Sequence, residues 1–415
     1  MTNRPRIVVA QMGARGHYAV AEALHVDGML ARLYTDAYAG TGWLRRLLQF
    51  VPQRLLPASL SRFKGRLCSL PPESVTSFNY FGFERFFRST GKISFLNQNK
   101  VGIWAGAKFG HLIIESGLSD VNIVYAITEE AEQLFEYCRK SGIKCVLEQC
   151  SPPRDLQRRI MEEELRLWPR WELGFETKVK TIAEECLVQR QTHEWQMADM
   201  IICPSDFVKG AVDHLAGQLS KTFIVPYGID VSKFTPIYRK QRTSRRIRVL
   251  FVGRISLFKG VQYLLLAARA LVGIADIRLV GPVRCDPEKL SHLLPSNVQI
   301  VGQVPRTQIF EHYRWADVFC LPSLFEGSAL VTYEALAAGL PVICTENTGS
   351  VTRDGLDGFI VPIRNSQALI DRISRLGGDH DLLECMSQNA CERAEQFDLI
   401  HYQNRLSDAI KSIWS

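Results

Sequence analysis

The sequence predicts an α/β protein built from two Rossmann-like domains that face each other. Three observations carry this expectation. Short β-branched runs alternate with helical stretches from end to end, the pattern of parallel sheets covered by helices. The alternation occurs twice, on either side of a polar, basic, aperiodic stretch from Ile237 to Arg246. The length, 415 residues, suits two domains of ordinary size.

The first alternating set opens with Arg6-Ile-Val-Val-Ala-Gln11, closed by Gly13-Ala-Arg-Gly16, with a helix expected over His17 to Met29. Further strands are expected at Ala31 to Thr35, Val121 to Ala126, Lys144 to Glu148, Met200 to Cys203 and Phe223 to Val225. Ala131 to Lys140 and Arg158 to Met197 read as the intervening helices, and Pro226-Tyr-Gly-Ile-Asp230 as a closing turn. The second set begins at Arg248-Val-Leu-Phe-Val-Gly253. It continues through strands at Ile277 to Val280, Val298 to Val301, Asp317 to Leu321, Pro341 to Cys344 and Gly358 to Val361. Its helices start near Lys259, Arg306, Ser328 and Ser366. The expected division is residues 1–236, a linker over 237–246, a second domain over 247–395 and a terminal segment over 396–415.

Composition narrows the functional classes. Hydrophobic residues make up 46% and charged residues 22%, the balance of an ordinary globular protein. No apolar run approaches the roughly 18 residues of a membrane span, and Ile7 to Ala10 is too short for a secretory leader, which points to the cytoplasm. Eleven scattered cysteines without a Cys-x-x-Cys pair argue for reduced thiols and against a disulfide framework or zinc site. The histidines have no metal-ligand spacing. The net charge of +7 comes without a nucleic-acid recognition motif, so no nucleic-acid partner is expected.

In open parallel sheets, ligands collect at the C-terminal ends of strands, where helix N-termini favour anions. Three segments of the second half fit that rule. Gly253-Arg-Ile-Ser-Leu-Phe-Lys-Gly260 leaves a strand with Arg254 and Lys259 at the two ends of one loop, a pair suited to a diphosphate. Pro322-Ser-Leu-Phe-Glu-Gly-Ser-Ala-Leu-Val-Thr-Tyr-Glu334 places Glu326 in a loop and Glu334 on the second turn of the next helix, where a carboxylate can accept two vicinal hydroxyls. Val301-Gly-Gln-Val-Pro-Arg306 offers backbone groups to a flat base. Each segment alone also fits solvated charges on ordinary turns; only the three together are specific.

Together they resemble the C-terminal domain of glycosyltransferase family 4, the retaining GT-B enzymes. The likeness runs through Val252 to Gly260, Val301 to Pro305, Ala316 to Ser323, Phe325-Glu-Gly327, Tyr333 to Val342 and Asp357-Gly-Phe-Ile-Val-Pro362. It holds order and spacing over about 120 residues, with Glu326 and Glu334 at the family's two glutamate positions. The resemblance implies a nucleotide-diphosphate sugar as donor substrate, retention at the anomeric carbon, no tightly bound cofactor and no required metal. By the same token Arg254 and Lys259 would hold the diphosphate, Glu334 the ribose and Val304 the base. Glu326, with the backbone of Gly327, Ser328, Ala329 and Leu330, would face the transferred sugar. Gly13 occupies the place of the family's first glycine-rich loop. The histidine that the family often carries near position 149 is missing from Val146-Leu-Glu-Gln-Cys150, which leaves Glu148 and His17 as candidate substitutes.

Two features remain. Gly42 to Leu70 holds six cations, Arg45, Arg46, Arg54, Arg62, Lys64 and Arg66, with no acid and several large apolar residues. That suits docking on an anionic membrane surface, hence peripheral attachment and an acceptor glycan or glycolipid. It also suits a basic loop packed on its own domain. Asp379-His-Asp381 looks like a metal motif but reads as a helix cap. In GT-B enzymes a terminal segment often crosses back to the first domain, and Ile400, Leu406, Ile410 and Trp414 give residues 396–415 the spacing to do so. The alternatives to a glycosyltransferase are a non-catalytic nucleotide-sugar-binding subunit and a sugar-nucleotide epimerase.

Overall fold

A computed structural model describes residues 4–40, 63, 66–90, 95–172, 181–217, 221–234 and 246–414. Most of the basic stretch 42–70 and of the linker 237–246 therefore lies outside the described residues. All strand pairs are parallel. The first sheet contains β1 (Ile7–Gln11), β2 (Leu30–Thr35), β3 (Val75–Ser77), β4 (Ile123–Ile127), β5 (Lys144–Glu148), β6 (Met200–Cys203) and β7 (Thr222–Ile224), in spatial order 3-2-1-4-5-6-7. The second contains β8 (Ile247–Val252), β9 (Ala275–Val280), β10 (Val298–Gly302), β11 (Val318–Leu321), β12 (Val342–Thr345) and β13 (Gly358–Val361), in order 10-9-8-11-12-13. Both orders reverse beside the first strand of the set, and crevices for ligands open at such points.

The central strands β1, β4, β8, β11 and β12 are buried nearly throughout because helices cover both sides of each sheet. In the first half these are α1 (Ala19–Val26), α2 (Asn79–Thr90), α3 (Phe95–Ser116), α4 (Glu132–Lys140), α5 (Arg154–Leu167), α6 (Ile182–Met197) and α7 (Asp206–Ala216). In the second they are α8 (Val261–Ala270), α9 (Pro287–Leu293), α10 (Ile309–Trp315), α11 (Leu330–Ala337), α12 (Ser366–Gly378), α13 (His380–Glu395) and α14 (Leu399–Trp414). The architecture is two facing Rossmann-like domains with a cleft between them. Among the described residues no helix is long and apolar enough to cross a membrane.

Two segments leave their own half. Helix α5 buries Ile160 and Met161, and the following turn buries Trp171, in the core of the second half. Its Glu164, fully buried, accepts from Gln262 (2.7 Å), Tyr263 (2.7 Å) and Arg364 (2.8 Å). In the reverse direction α14 buries Tyr402, Leu406 and Ile410 in the core of the first half, where Gln403 donates to Asp27 at 2.8 Å.

Residues 158–197 are not one helical run. Helix α5 ends at Leu167, because Pro169 lacks the N–H that another turn needs, and α6 starts at Ile182 with Thr181 as its cap. Similarly α1 begins only at Ala19, since Gly16, His17 and Tyr18 adopt left-handed backbone conformations. Asp379 caps α13 by accepting from Leu382 N–H at 2.9 Å. Within the basic stretch, Phe63 is buried against Phe83 and Phe86, and Arg66 pairs with buried Asp36 at 2.8 Å. These two residues are turned inward.

Candidate active site

The loop after β8 and the loop after β11 lie side by side. Gly260, at φ +69°, makes this possible, since a Cβ there would stand 1.9 Å from the Pro322 carbonyl. Lys259 is thereby brought to the Glu326 carboxylate, with which it forms an ion pair, and Ser323 Oγ donates to the same Glu326 at 3.1 Å. Arg254 is exposed, with its guanidinium carbon 5.8 Å from the centre of the Phe258 ring. No carboxylate of the described residues pairs with it. Phe258 in turn stacks on Phe325 at 5.6 Å, tying the two loops together.

Glu334 sits on α11, 15% exposed in its side chain, and accepts from Tyr313 Oη at 2.8 Å. Burial pushes its carboxyl above the usual range. Arg306, from the turn after β10, reaches Glu334 at 3.5 Å with one nitrogen and His17 Nε2 at 3.1 Å with another. Val304 is half-buried at the same turn. In the Gly327–Leu330 stretch, Ser328 Oγ bonds Tyr333 and the Gly349 carbonyl, both at 2.7 Å, and the Ala329 N–H bonds the Thr348 carbonyl. The N–H groups of Gly327 and Ser328 bond no acceptor among the described residues.

From the other side comes the loop after β1. Gly13 donates its N–H to Asp36 at 2.8 Å, and Met12 donates to Glu130 at 2.8 Å. His17 is largely exposed, and the partial desolvation of its ring, together with the neighbouring Arg306, lowers its basicity. Glu148 is placed differently. Its two oxygens are held by Tyr125 (2.8 Å) and Tyr227 (3.0 Å), it is 7% exposed, and burial raises its carboxyl above the usual range. Gln149 is fully buried, accepting from Trp195 at 2.8 Å. What reaches the cleft at this strand end is Cys150. A cavity of about 380 Å³ lies between the halves there, lined by Arg15, Cys150, Arg154 and Arg158 from one side and Arg254 and Phe258 from the other.

The structure thus gathers Arg254, Lys259, Glu326 and the 327–330 stretch at one place, and Glu334, Val304 and His17 at a second. Glu148 lies with neither. Sequence reasoning passed over Arg15, Arg306, Tyr313 and Cys150. Arg15 and Arg306 were visible as cations within two of the singled-out loops, but their partners are distant in sequence: Cys150 and Glu130 for Arg15, and Glu334 together with His17 of the opposite half for Arg306.

Residues 246–379 match the family described as "Glycosyl transferases group 1". The second half of the chain therefore carries a group 1 glycosyltransferase domain. A D-inositol 3-phosphate glycosyltransferase of Paenarthrobacter aurescens is 30% identical over 207 residues, 45% of this chain and 50% of that protein. A Salmonella typhimurium protein, WcaL, named for colanic acid biosynthesis glycosyltransfer, is 26% identical over 254 residues, 56% of this chain and 62% of its own length. The chain thus spans between about half and two thirds of these relatives. Among solved structures, Anabaena Alr3699/HepE in complex with UDP and glucose superposes with a TM-score of 0.61 at 15% identity, covering 99% of this chain and 100% of that one. That likeness extends the GT-B fold of the group 1 domain over both halves.

Proposed function

We propose that the chain is a retaining glycosyltransferase that moves a sugar from a nucleoside diphosphate sugar to an acceptor held by the first half. The observation that carries the reading is the convergence of Arg254, Lys259, Glu326 and the open N–H groups of Gly327 and Ser328 on one side of an interdomain cleft. In this reading Arg254 and Lys259 bind the diphosphate and stabilise the charge that develops on it as the sugar leaves. Glu334, kept in place by Tyr313, accepts the ribose hydroxyls after displacing Arg306. Glu326 and the 327–328 backbone face the sugar. The complex of Alr3699/HepE with UDP makes UDP the first nucleotide to try.

Thermal shift with UDP, GDP and ADP tests the donor site, since a ligand that binds only the native state raises the melting temperature. Incubation with the corresponding sugar nucleotides then separates the classes. A transferase releases nucleoside diphosphate slowly by hydrolysis; a binding subunit releases none, and an epimerase interconverts the sugar without release. The absence of any stabilisation by the three diphosphates would sink the donor reading.

The proposal extends to a lipid-linked or cell-surface polysaccharide acceptor, reached by peripheral docking on the cytoplasmic face of a membrane. Its support is the sequence of residues 42–70, whose five cations other than Arg66 lie outside the described residues. Co-sedimentation should need anionic vesicles, weaken with salt, and drop when Arg45, Arg46, Arg62 and Lys64 are neutralised. Equal recovery in the supernatant with neutral and anionic vesicles would refute docking.

A further inference from the structure

The cavity between the halves is bordered by four arginines, and they are not equivalent. Arg154 is clamped by both oxygens of Glu129, at 2.5 and 2.7 Å. Arg158 is paired with Asp155 and with Glu162. Arg254 has no carboxylate partner among the described residues. Arg15 is the unusual one. Its Nη1 donates to Cys150 Sγ at 2.7 Å, and among the described residues the one carboxylate within ion-pair distance is Glu130 at 3.9 Å. A thiol sulfur is a weak acceptor. Burial pushes the Cys150 thiol up to about 11, so it carries no compensating charge, and pushes the Glu130 carboxyl up to about 7. The side chain, half-exposed at 50%, therefore faces the cleft without a close ionised partner among the described residues, although Glu148 and Glu129 also favour its charge from beyond ion-pair distance.

Its backbone is held firmly. The buried Gln11 side chain donates to the carbonyl oxygens of Gly13 (3.1 Å) and Arg15 (2.9 Å), which occupies the negative ends of those peptides. Asp36 and Glu130 take the N–H groups of Gly13 and Met12. The next three residues, Gly16, His17 and Tyr18, all have φ between +52° and +64°. Left-handed conformations at non-glycine residues such as His17 and Tyr18 are strained and persist where the surroundings impose them. A strained, tightly bonded loop that ends by presenting one under-compensated cation is the pattern of a preorganised anion contact.

Arg15 and Arg254 reach the same space from opposite halves. We propose that Arg15 is a third cation of the diphosphate site, contributed by the first half, so that the donor diphosphate is held between it and the Arg254–Lys259 pair. The proposal rests on the donor reading above. The planar guanidinium fork suits two phosphate oxygens, and giving up the Cys150 thiol for them exchanges a weak acceptor for a charged one. It also ties donor binding to apposition of the two halves.

Calorimetric titration of the full chain with UDP, with GDP and ADP in parallel, tests this. Arg15→Ala should bind the diphosphate about 10- to 100-fold more weakly, the loss expected for one charged hydrogen-bonding partner. Arg15→Lys should recover part of the loss, and UMP should be less affected than UDP. If Arg15→Ala binds UDP as the parent does while Arg254→Ala does not, Arg15 is no phosphate ligand and the donor reading stands. If Arg254→Ala also binds unchanged, both fall. An equal loss for UDP and UMP, accompanied by a lower melting temperature, would make Arg15 a structural residue of its loop and overturn the proposal.

Discussion

Gly327 and Cys150 touch across the cleft through their backbones: a Cβ built on Gly327 would lie 1.9 Å from the Cys150 carbonyl oxygen. The Gly327 carbonyl also accepts from Ser205 Oγ at 2.6 Å, so the second half is pinned to the first at this residue. Gly327→Ala brings no conformational strain, because Gly327 is not in the left-handed region; its effect is to push the halves apart. The variant should fold and keep the contacts of nucleoside diphosphate to Arg254 and Lys259, lose at most the affinity lost in Arg15→Ala, and transfer or hydrolyse the donor about 100-fold more slowly, the scale expected for a displacement near 1 Å. Small-angle scattering should show a more open molecule. Unchanged turnover would mean that this contact is not part of the active arrangement.

Lys259 and Glu326 compete with the donor for each other. In the free protein the ammonium is occupied by the Glu326 carboxylate, and a diphosphate has to draw it away. Glu326→Gln removes the charge but keeps the shape. Diphosphate affinity should therefore rise by a few-fold, while turnover drops if the carboxylate faces the reacting sugar. Lys259→Ala and Arg254→Ala should each weaken diphosphate binding by about 1.5–3 kcal/mol. A Glu326→Gln variant with parental affinity and parental turnover would remove Glu326 from the site.

Glu130 gives a pH signature. Its carboxyl is 4% exposed and lies at about 7 in the folded chain, against an ordinary value near 4.5, burial being the main cause. Between those values the native state binds more protons than the unfolded one, so this group's contribution to stability declines as pH rises from about 4.5 to 7 and stays lost above that. The full penalty is at most about 3.4 kcal/mol. Glu130→Gln should flatten that part of the stability–pH curve, gaining stability at pH 8 relative to pH 5 when compared with the parent. Parallel curves for the two proteins in urea titrations would show that Glu130 does not titrate in this window.

The legible and illegible parts of the molecule divide on where each residue's partners lie. Strands β5, β6 and β13 fall on the expected residues, because a run apolar on both faces and bounded by turns is a local signal. The Asp379 cap is local too. Strand β3 has three residues at a sheet edge, too short to show a period, and α2 and α3 went unread. In the site, Arg254, Lys259, Glu326 and Glu334 stand out because their loops follow strands of one sheet. Glu148 looked equally available from sequence, yet Tyr125 and Tyr227 enclose it. Arg306 could not be assigned, since it spans from Glu334 in one half to His17 in the other, 289 positions away. Nor does anything local announce that Glu164 of α5 is held by Gln262, Tyr263 and Arg364.

Helix α14 makes the stability of the first half depend on the end of the chain. Leu406 is fully buried there between Tyr402 and Ile410, and Ser407 and Gln403 both donate to Asp27, just beyond α1. Lys144, at the start of β5, donates to the Ile413 carbonyl. Leu406→Ala leaves the second sheet untouched and opens a cavity against the first, at a cost of about 2–5 kcal/mol. Calorimetry should therefore show the first half melting earlier, with the single transition broadening or splitting. UDP should then raise the later transition more than the earlier one, because two of the three proposed phosphate cations, together with Glu334, lie on the second half. A Leu406→Ala chain that melts with the parent's temperature and width would show that the helix rests on the first half without stabilising it.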